Sequence, residues 1–212
     1  MSNLTTHHDR VKTGWILAST SLLLTTSILF WFIGNPKRFI ETRMGIHEGV
    51  FADFYVWLFT FIIVLGYVVY TIIALPFVRA HLFHMSWLKI IGVWAALATG
   101  IVEEVLFRHL LMDFLQSLHV SDVLQIILSG AAFGFAHGAW GILRRDMKIV
   151  LPVIISTTIL GCFLATLYIM SGRSTFAPIV AHVLINLIIE PWLMLSAISG
   201  KWTMSKQTQE NT

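Results

Sequence analysis

Six runs of at least 20 mostly apolar residues, at 14–33, 54–78, 87–118, 121–140, 149–170 and 177–199, decide what this chain can become. About 20 helical residues cross the roughly 30 Å hydrocarbon core of a bilayer. No water satisfies backbone N–H and C=O groups inside that core, so only helices or closed barrels are open to the chain. Runs of this length exceed the roughly ten-residue strands of a barrel. The expected fold class is therefore all-α: a polytopic membrane helix bundle of about six transmembrane segments, seven or more if the longest run divides. Breakers separate the runs at Gly34-Asn35-Pro36, Pro76, His119 to Asp122, Gly138 to Lys148 and Ser171 to Ser174.

Composition agrees, with 57% of the 212 residues hydrophobic and 12% charged, against about 25% charged in an average soluble domain. The run from Gly14 to Ile33 follows Arg10 and Lys12 with no small-residue cleavage site after it, and reads as a retained span. The run 87–118 has 32 residues, or about 48 Å of helix, which demands strong tilt or a break near Thr99-Gly100. Trp15, Trp31, Trp57, Trp87 and Trp140 stand near run ends as interfacial anchors. With six spans, nine basic residues (Arg10, Lys12, Arg79, Lys89, Arg144, Arg145, Lys148, Lys201, Lys206) share the side of the termini, against Lys37, Arg38, Arg43 and Arg173 opposite. That bias puts both termini in the cytoplasm of a bacterial-type cell membrane. The net charge of +3 is spread singly between spans, so lipid rather than nucleic acid is the expected surrounding. A lone cysteine, Cys162, excludes an internal disulfide framework and a cysteine-based zinc site, and reads as packing.

Three polar patches interrupt the apolar runs. Glu103, Glu104 and Arg108 lie within six residues, although each ionised group in hydrocarbon costs at least about 2.5–3.5 kcal/mol. Glu104 and Arg108 are four apart and about 40° from each other on a helix, so they can pair. Glu103, about 140° from Arg108, is left for another task, most naturally the handling of a water proton. The second patch sets Phe133 and His137 four apart among Gly130, Ala131, Ala132, Gly134 and Ala136, small residues that admit a neighbouring helix closely. The third, His182, Asn186 and Glu190, forms one polar stripe down an otherwise Leu, Ile and Val helix. Glu190 beside Pro191 marks a kink and takes no assigned role. Counted along straight helices, His137 and His182 would differ in depth by about 10–15 Å, so a shared site needs tilt, a re-entrant break or mid-membrane positions for both.

Taken together, Glu-Glu-x-x-x-Arg, Phe-x-x-x-His and His-x-x-x-Asn, each on its own run, resemble the CPBP family of CAAX-processing and bacteriocin-processing (Abi-type) intramembrane endopeptidases. The likeness spans about Ile101 to Asn186 and extends to Glu103-Glu-Val-Leu-Phe-Arg108 and to Ser171-Gly-Arg-Ser-Thr-Phe-Ala-Pro178 before Ala181-His182. Where many members carry Gly after the arginine, this chain has His109. The resemblance implies an intramembrane protease cutting a membrane-associated peptide or protein, with catalytic residues Glu103, Glu104, Arg108, His137, His182 and Asn186. Glu103 and His137 would activate water, His182 and Asn186 would stabilise the oxyanion, and Arg108 would lock Glu104. It divides the chain into an N-terminal membrane region of two spans (1–85), a catalytic helical core (86–200) and a polar tail (201–212).

No cofactor is favoured. The alternative is zinc held by Glu103, His137 and His182, since two histidines and a carboxylate form many catalytic zinc sites. Against it, the histidines are 45 residues apart rather than in His-Glu-x-x-His, and Arg108 beside the carboxylates repels a cation. Two other classes compete: a proton or ion pathway, and a non-catalytic bacteriocin-immunity or membrane interaction protein. A pathway needs acids on several spans, whereas the strong acids here concentrate at one place.

Overall fold

The computed structural model describes residues 5–142 and 147–201, with side chains described up to 138 and again from 149. Arg144, Arg145, Lys206, the tail from 202 on and the side chains of Trp140 and Lys148 therefore lie outside the described residues. The described residues are helical and contain no strand. We label the helices α1 (His7–Gly34), α2 (Phe54–Ala74), α3 (Pro76–His81), α4 (Trp87–Glu104), α5 (Leu111–Ser117), α6 (Asp122–Ile142), α7 (Met147–Met170), α8 (Phe176–Ile189) and α9 (Trp192–Ser199). Between α1 and α2 lies a short helical segment, Pro36–Arg38, that widens into a π-helical turn at Phe39–Arg43.

Local chemistry sets the boundaries. Thr6 and Asp9 form a reciprocal capping box at the start of α1, and Asp53 accepts from the Tyr55 and Val56 N–H groups at the start of α2. Pro76 opens α3 and Pro178 sits in the first turn of α8, where a missing N–H costs nothing. The outward residues are those that lipid accepts: Leu23, Phe30, Phe61, Ile73 and Ile90 are exposed. Trp15 and Trp87 are exposed too, while Trp31 carries the Arg43 guanidinium 5.0 Å from its ring centre.

α4 is the central element, packed between α1 and α8. α6 and α7 form a long antiparallel hairpin, closed by small residues on α6. A Cβ added to Gly134 would stand 2.8 Å from the Ile154 carbonyl oxygen and closer still to Thr158 Oγ1. Cys162 packs against Gly130 in the same seam, as expected of a lone apolar-helix cysteine. Lys89, in the first turn of α4, donates to the carbonyls of Leu187 (2.6 Å), Ile188 (3.3 Å) and Glu190 (2.8 Å). It thereby satisfies acceptors that α8 leaves open where it ends. There the chain bends by 54° into α9, so Pro191 does mark a kink.

One expectation needs correction. The run 87–118 does not break at Thr99-Gly100. It continues as helix to Ser117, and its irregularity is a π-helical turn at Val105–Leu110, directly after the glutamates. Gly100 serves contact instead: a Cβ there would stand 3.2 Å from the Val183 backbone nitrogen of α8. The count of six crossings is neither reached nor overturned by length and composition. Among the described residues four helices qualify (His7–Gly34, Phe54–Ala74, Trp87–Ser117, Ile149–Met170), or five if the bent α8–α9 pair is one span. The 121–140 run is present as α6 but does not enter that count.

Candidate active site

The adjacent glutamates end α4 and point to different places, because neighbours on a helix are turned by about 100°. Glu104 is wholly buried and faces the bundle: its Oε1 accepts from Arg108 Nη1 at 3.0 Å and from His182 Nδ1 at 2.7 Å. Arg108, equally buried, also donates from Nη2 to the Gly161 carbonyl at 3.1 Å. Its guanidinium lies 4.7 Å from the centre of the Phe133 ring, a further favourable contact for a desolvated cation. The i, i+4 pairing of Glu104 with Arg108 is thus present, immersed in a network rather than standing alone.

Glu103 faces a cavity of about 330 Å³ that His137, His182 and Asn186 also line. Its Oε2 lies 3.6 Å from His137 Nε2 and 3.8 Å from His182 Nε2, and has no hydrogen-bond partner among the described residues. The tautomers follow from the other ring nitrogens. His137 Nδ1 sits 2.9 Å from the Phe133 carbonyl, which only accepts, so Nδ1 carries the hydrogen. His182 Nδ1 meets the Glu104 carboxylate and carries one as well. Both Nε2 atoms are thereby turned toward one carboxylate oxygen at distances too long for direct hydrogen bonds.

Phe133 is central to this packing. Its ring centre is 4.3 Å from that of His137 and 5.5 Å from that of His182, with Arg108 on its face. Thr99 is a polar residue that the motif does not contain. Its hydroxyl donates to the Ala95 carbonyl at 2.8 Å and accepts from Asn186 Nδ2 at 3.2 Å. Because Thr99 spends its one hydrogen on Ala95, Asn186 must present its NH₂ there, which fixes the amide orientation. Four residues before Glu103, Thr99 shares its helix face, the signal by which spacing could have found it. His109 turns away from the cavity, with Nδ1 3.1 Å from Asp113 Oδ2.

The expected difference in depth between His137 and His182 is absent, and two features explain it. The loop before α8 is tied to α5, where Arg173 pairs with Asp113 at 2.9 Å. Asp113 lies ten residues beyond Glu103, about 15 Å of rise, and the nine residues from Arg173 to His182 run back over a similar depth. The α1–α2 loop covers that loop, with Thr175 donating its hydroxyl to the Arg43 carbonyl and Ser174 donating to that of Gly45 at 3.0 Å. Gly45 has φ +66°, and a Cβ on it would stand 2.8 Å from the Thr175 nitrogen, so this close approach favours glycine.

All six residues singled out from the sequence therefore meet: four line one cavity, and Glu104 and Arg108 stand behind it. Among the described residues no group of three or more His, Cys, Asp or Glu side chains is arranged to hold a metal ion. Residues 85–188 match the family model described as type II CAAX prenyl endopeptidase, Rce1-like. No curated protein and no solved structure matches the chain.

Proposed function

We propose that this integral membrane protein, whose residues 85–188 belong to the Rce1-like type II CAAX prenyl endopeptidase family, cuts a membrane-associated peptide with a water activated by Glu103. The observation that carries the reading is Glu103 in the cavity wall, its buried Oε2 beside two imidazole nitrogens and without a hydrogen-bond partner among the described residues. A cavity water that donates a hydrogen to the Glu103 carboxylate keeps an oxygen lone pair for the substrate carbonyl. As the C–O bond forms, Glu103 takes the proton, and it returns the proton to the leaving amine as the C–N bond breaks.

The oxyanion needs donors. Asn186 has one amide hydrogen on Thr99 and a second for the cavity. His182, with Nδ1–H on Glu104, is oriented to present Nε2 to the cavity as the second oxyanion contact. Arg108 acts at a distance, holding the Glu104 carboxylate that orients His182. Both termini are assigned to the cytoplasm, and no metal or other cofactor is required.

A second reading shares the protein atoms. Histidines whose Nδ1 is tied to a carboxylate or carbonyl, with Nε2 turned to a common point, are the usual form of metal-ligating histidines. Zinc on Glu103, His137 and His182 would then polarise the water, although as they stand these three side chains do not form a metal-holding group. The test is cleavage of candidate membrane peptides by purified protein, wild type against Glu103→Gln, with metal analysis and a chelator control. We expect Glu103→Gln to lose about 100- to 10,000-fold in turnover, the usual worth of a general base. Wild-type turnover in that variant would end the proposal, and chelator loss restored by zinc would transfer it to the metal form.

A further inference from the structure

The same cavity contains a second carboxylate that the proposed reaction does not use. Glu190 continues the stripe of His182 and Asn186 at four-residue spacing, and it lines the cavity together with Ile189, Leu193 and Met194. Asn186 to Glu190 is about 6 Å along the helix and His182 to Glu190 about 12 Å. The Glu190 carboxylate accepts one long hydrogen bond, at 3.4 Å from the Met194 N–H, as α8 gives way to α9. The nearest ammonium, Lys89, is committed to backbone carbonyls, that of Glu190 among them, and no cation lies within 4.0 Å of the carboxylate among the described residues. No Lys or Arg lines the cavity among the described residues.

A carboxylate facing a largely apolar, membrane-level cavity is expensive when unpaired, so such groups mark a binding function by default. We infer that Glu190 is the carboxylate of a substrate subsite that takes a basic side chain, lysine or arginine, on the peptide to be cut. This rests on the peptide-cleaving reading above. The apolar stem of the incoming side chain lies along Ile189, Leu193 and Met194, and its charged end reaches the carboxylate. An extended peptide advances about 3.4 Å per residue, so the basic residue stands two to four positions from the scissile bond.

The experiment measures binding separately from cleavage. Glu103→Gln protein in nanodiscs is titrated with fluorescent ten-residue peptides carrying Lys, norleucine or Glu at each position in turn. We expect Lys to bind about tenfold tighter than norleucine at one position two to four residues from the cut, the scale of a partly buried charged hydrogen bond. Adding Glu190→Gln should erase that difference, and adding Glu190→Lys should transfer the preference to the Glu peptide. Binding without a lysine preference, or with one that survives Glu190→Gln in protein of unchanged thermal stability, overturns the subsite alone. If no peptide binds, the peptide-cleaving reading falls and takes the subsite with it.

Discussion

Thr99→Val tests whether Asn186 works as an aimed donor. Valine fills nearly the same space as threonine and keeps the helix, but it removes the oxygen that accepts from Asn186 Nδ2 at 3.2 Å. The hydroxyl's other bond, to the Ala95 carbonyl at 2.8 Å, is a local back-bond on a helical carbonyl, so its loss matters little to stability. Two magnitudes are then separable. Asn186→Ala deletes the donor, and removal of one oxyanion donor costs about 2.7–4 kcal/mol, or 100- to 1000-fold in kcat. Thr99→Val removes only the bond that aims the amide, worth about 0.5–1.5 kcal/mol, which is a 2- to 12-fold loss. Since Thr99 acts through Asn186, the double variant should be no slower than Asn186→Ala, a coupling about equal to the whole Thr99 effect. The assay is single-turnover cleavage of a fluorogenic peptide in detergent, with kcat and KM measured for the four proteins. Multiplicative losses, or full kcat in Asn186→Ala, would refute the reasoning.

Four further outcomes are expected. Arg108→Ala strands the buried Glu104 carboxylate, and breaking a buried pair on one side costs about 3–5 kcal/mol, so thermal unfolding in micelles should fall sharply; an unchanged midpoint would contradict the burial. Gly134→Val forces a side chain into the Ile154 carbonyl and Thr158, and should destabilise the α6–α7 hairpin by about 1–3 kcal/mol or more. Gly66→Ala, where an added Cβ meets nothing within 4 Å, should leave the unfolding midpoint the same or higher, which separates a packing cost from a general intolerance of change. Exhaustive chelation should leave turnover intact, read against a zinc-restored control.

The sequence displayed its short-range relations and concealed its long-range ones. The Glu104–Arg108 pair was legible because i, i+4 spacing on a helix brings side chains together whatever surrounds them. The cavity-facing stripe of His182, Asn186 and Glu190 was legible for the same reason. Common depth for His137 and His182 was not, because it depends on where α8 begins in space. That is set by Arg173 on Asp113 and by Arg43 and Gly45 against Ser174 and Thr175, contacts between residues 60 to 132 positions apart. Gly100 misled for a related reason: in water a mid-helix glycine weakens the helix, whereas between membrane helices small residues are where backbones approach. Thr99 lay within reach of spacing alone, but a threonine in an apolar helix normally bonds its own i−4 carbonyl, and only the partner helix reveals its second bond.

Adjacent glutamates divide a task that one carboxylate could not perform. A carboxylate held by an arginine and an imidazole is stable in a membrane protein, but Glu104 is wholly buried and does not line the cavity, so even its unpartnered Oε2 is not offered to a water there. A carboxylate open to a cavity can accept that proton, but it needs neighbours that keep it ionised and in place. Setting the two groups one residue apart turns them by about 100°, so a single helix end delivers one to the interior and one to the cavity. His182 links the halves, with Nδ1 on Glu104 at 2.7 Å and Nε2 at 3.8 Å from Glu103. Exchanging the roles would require the helix to rotate, and the wholly buried Arg108, bonded to Glu104 and to the Gly161 carbonyl of α7, opposes that rotation. On this argument Glu103→Gln should silence the protein while it remains folded, whereas Glu104→Gln should weaken the hold on both Arg108 and His182 and lower stability as well as turnover.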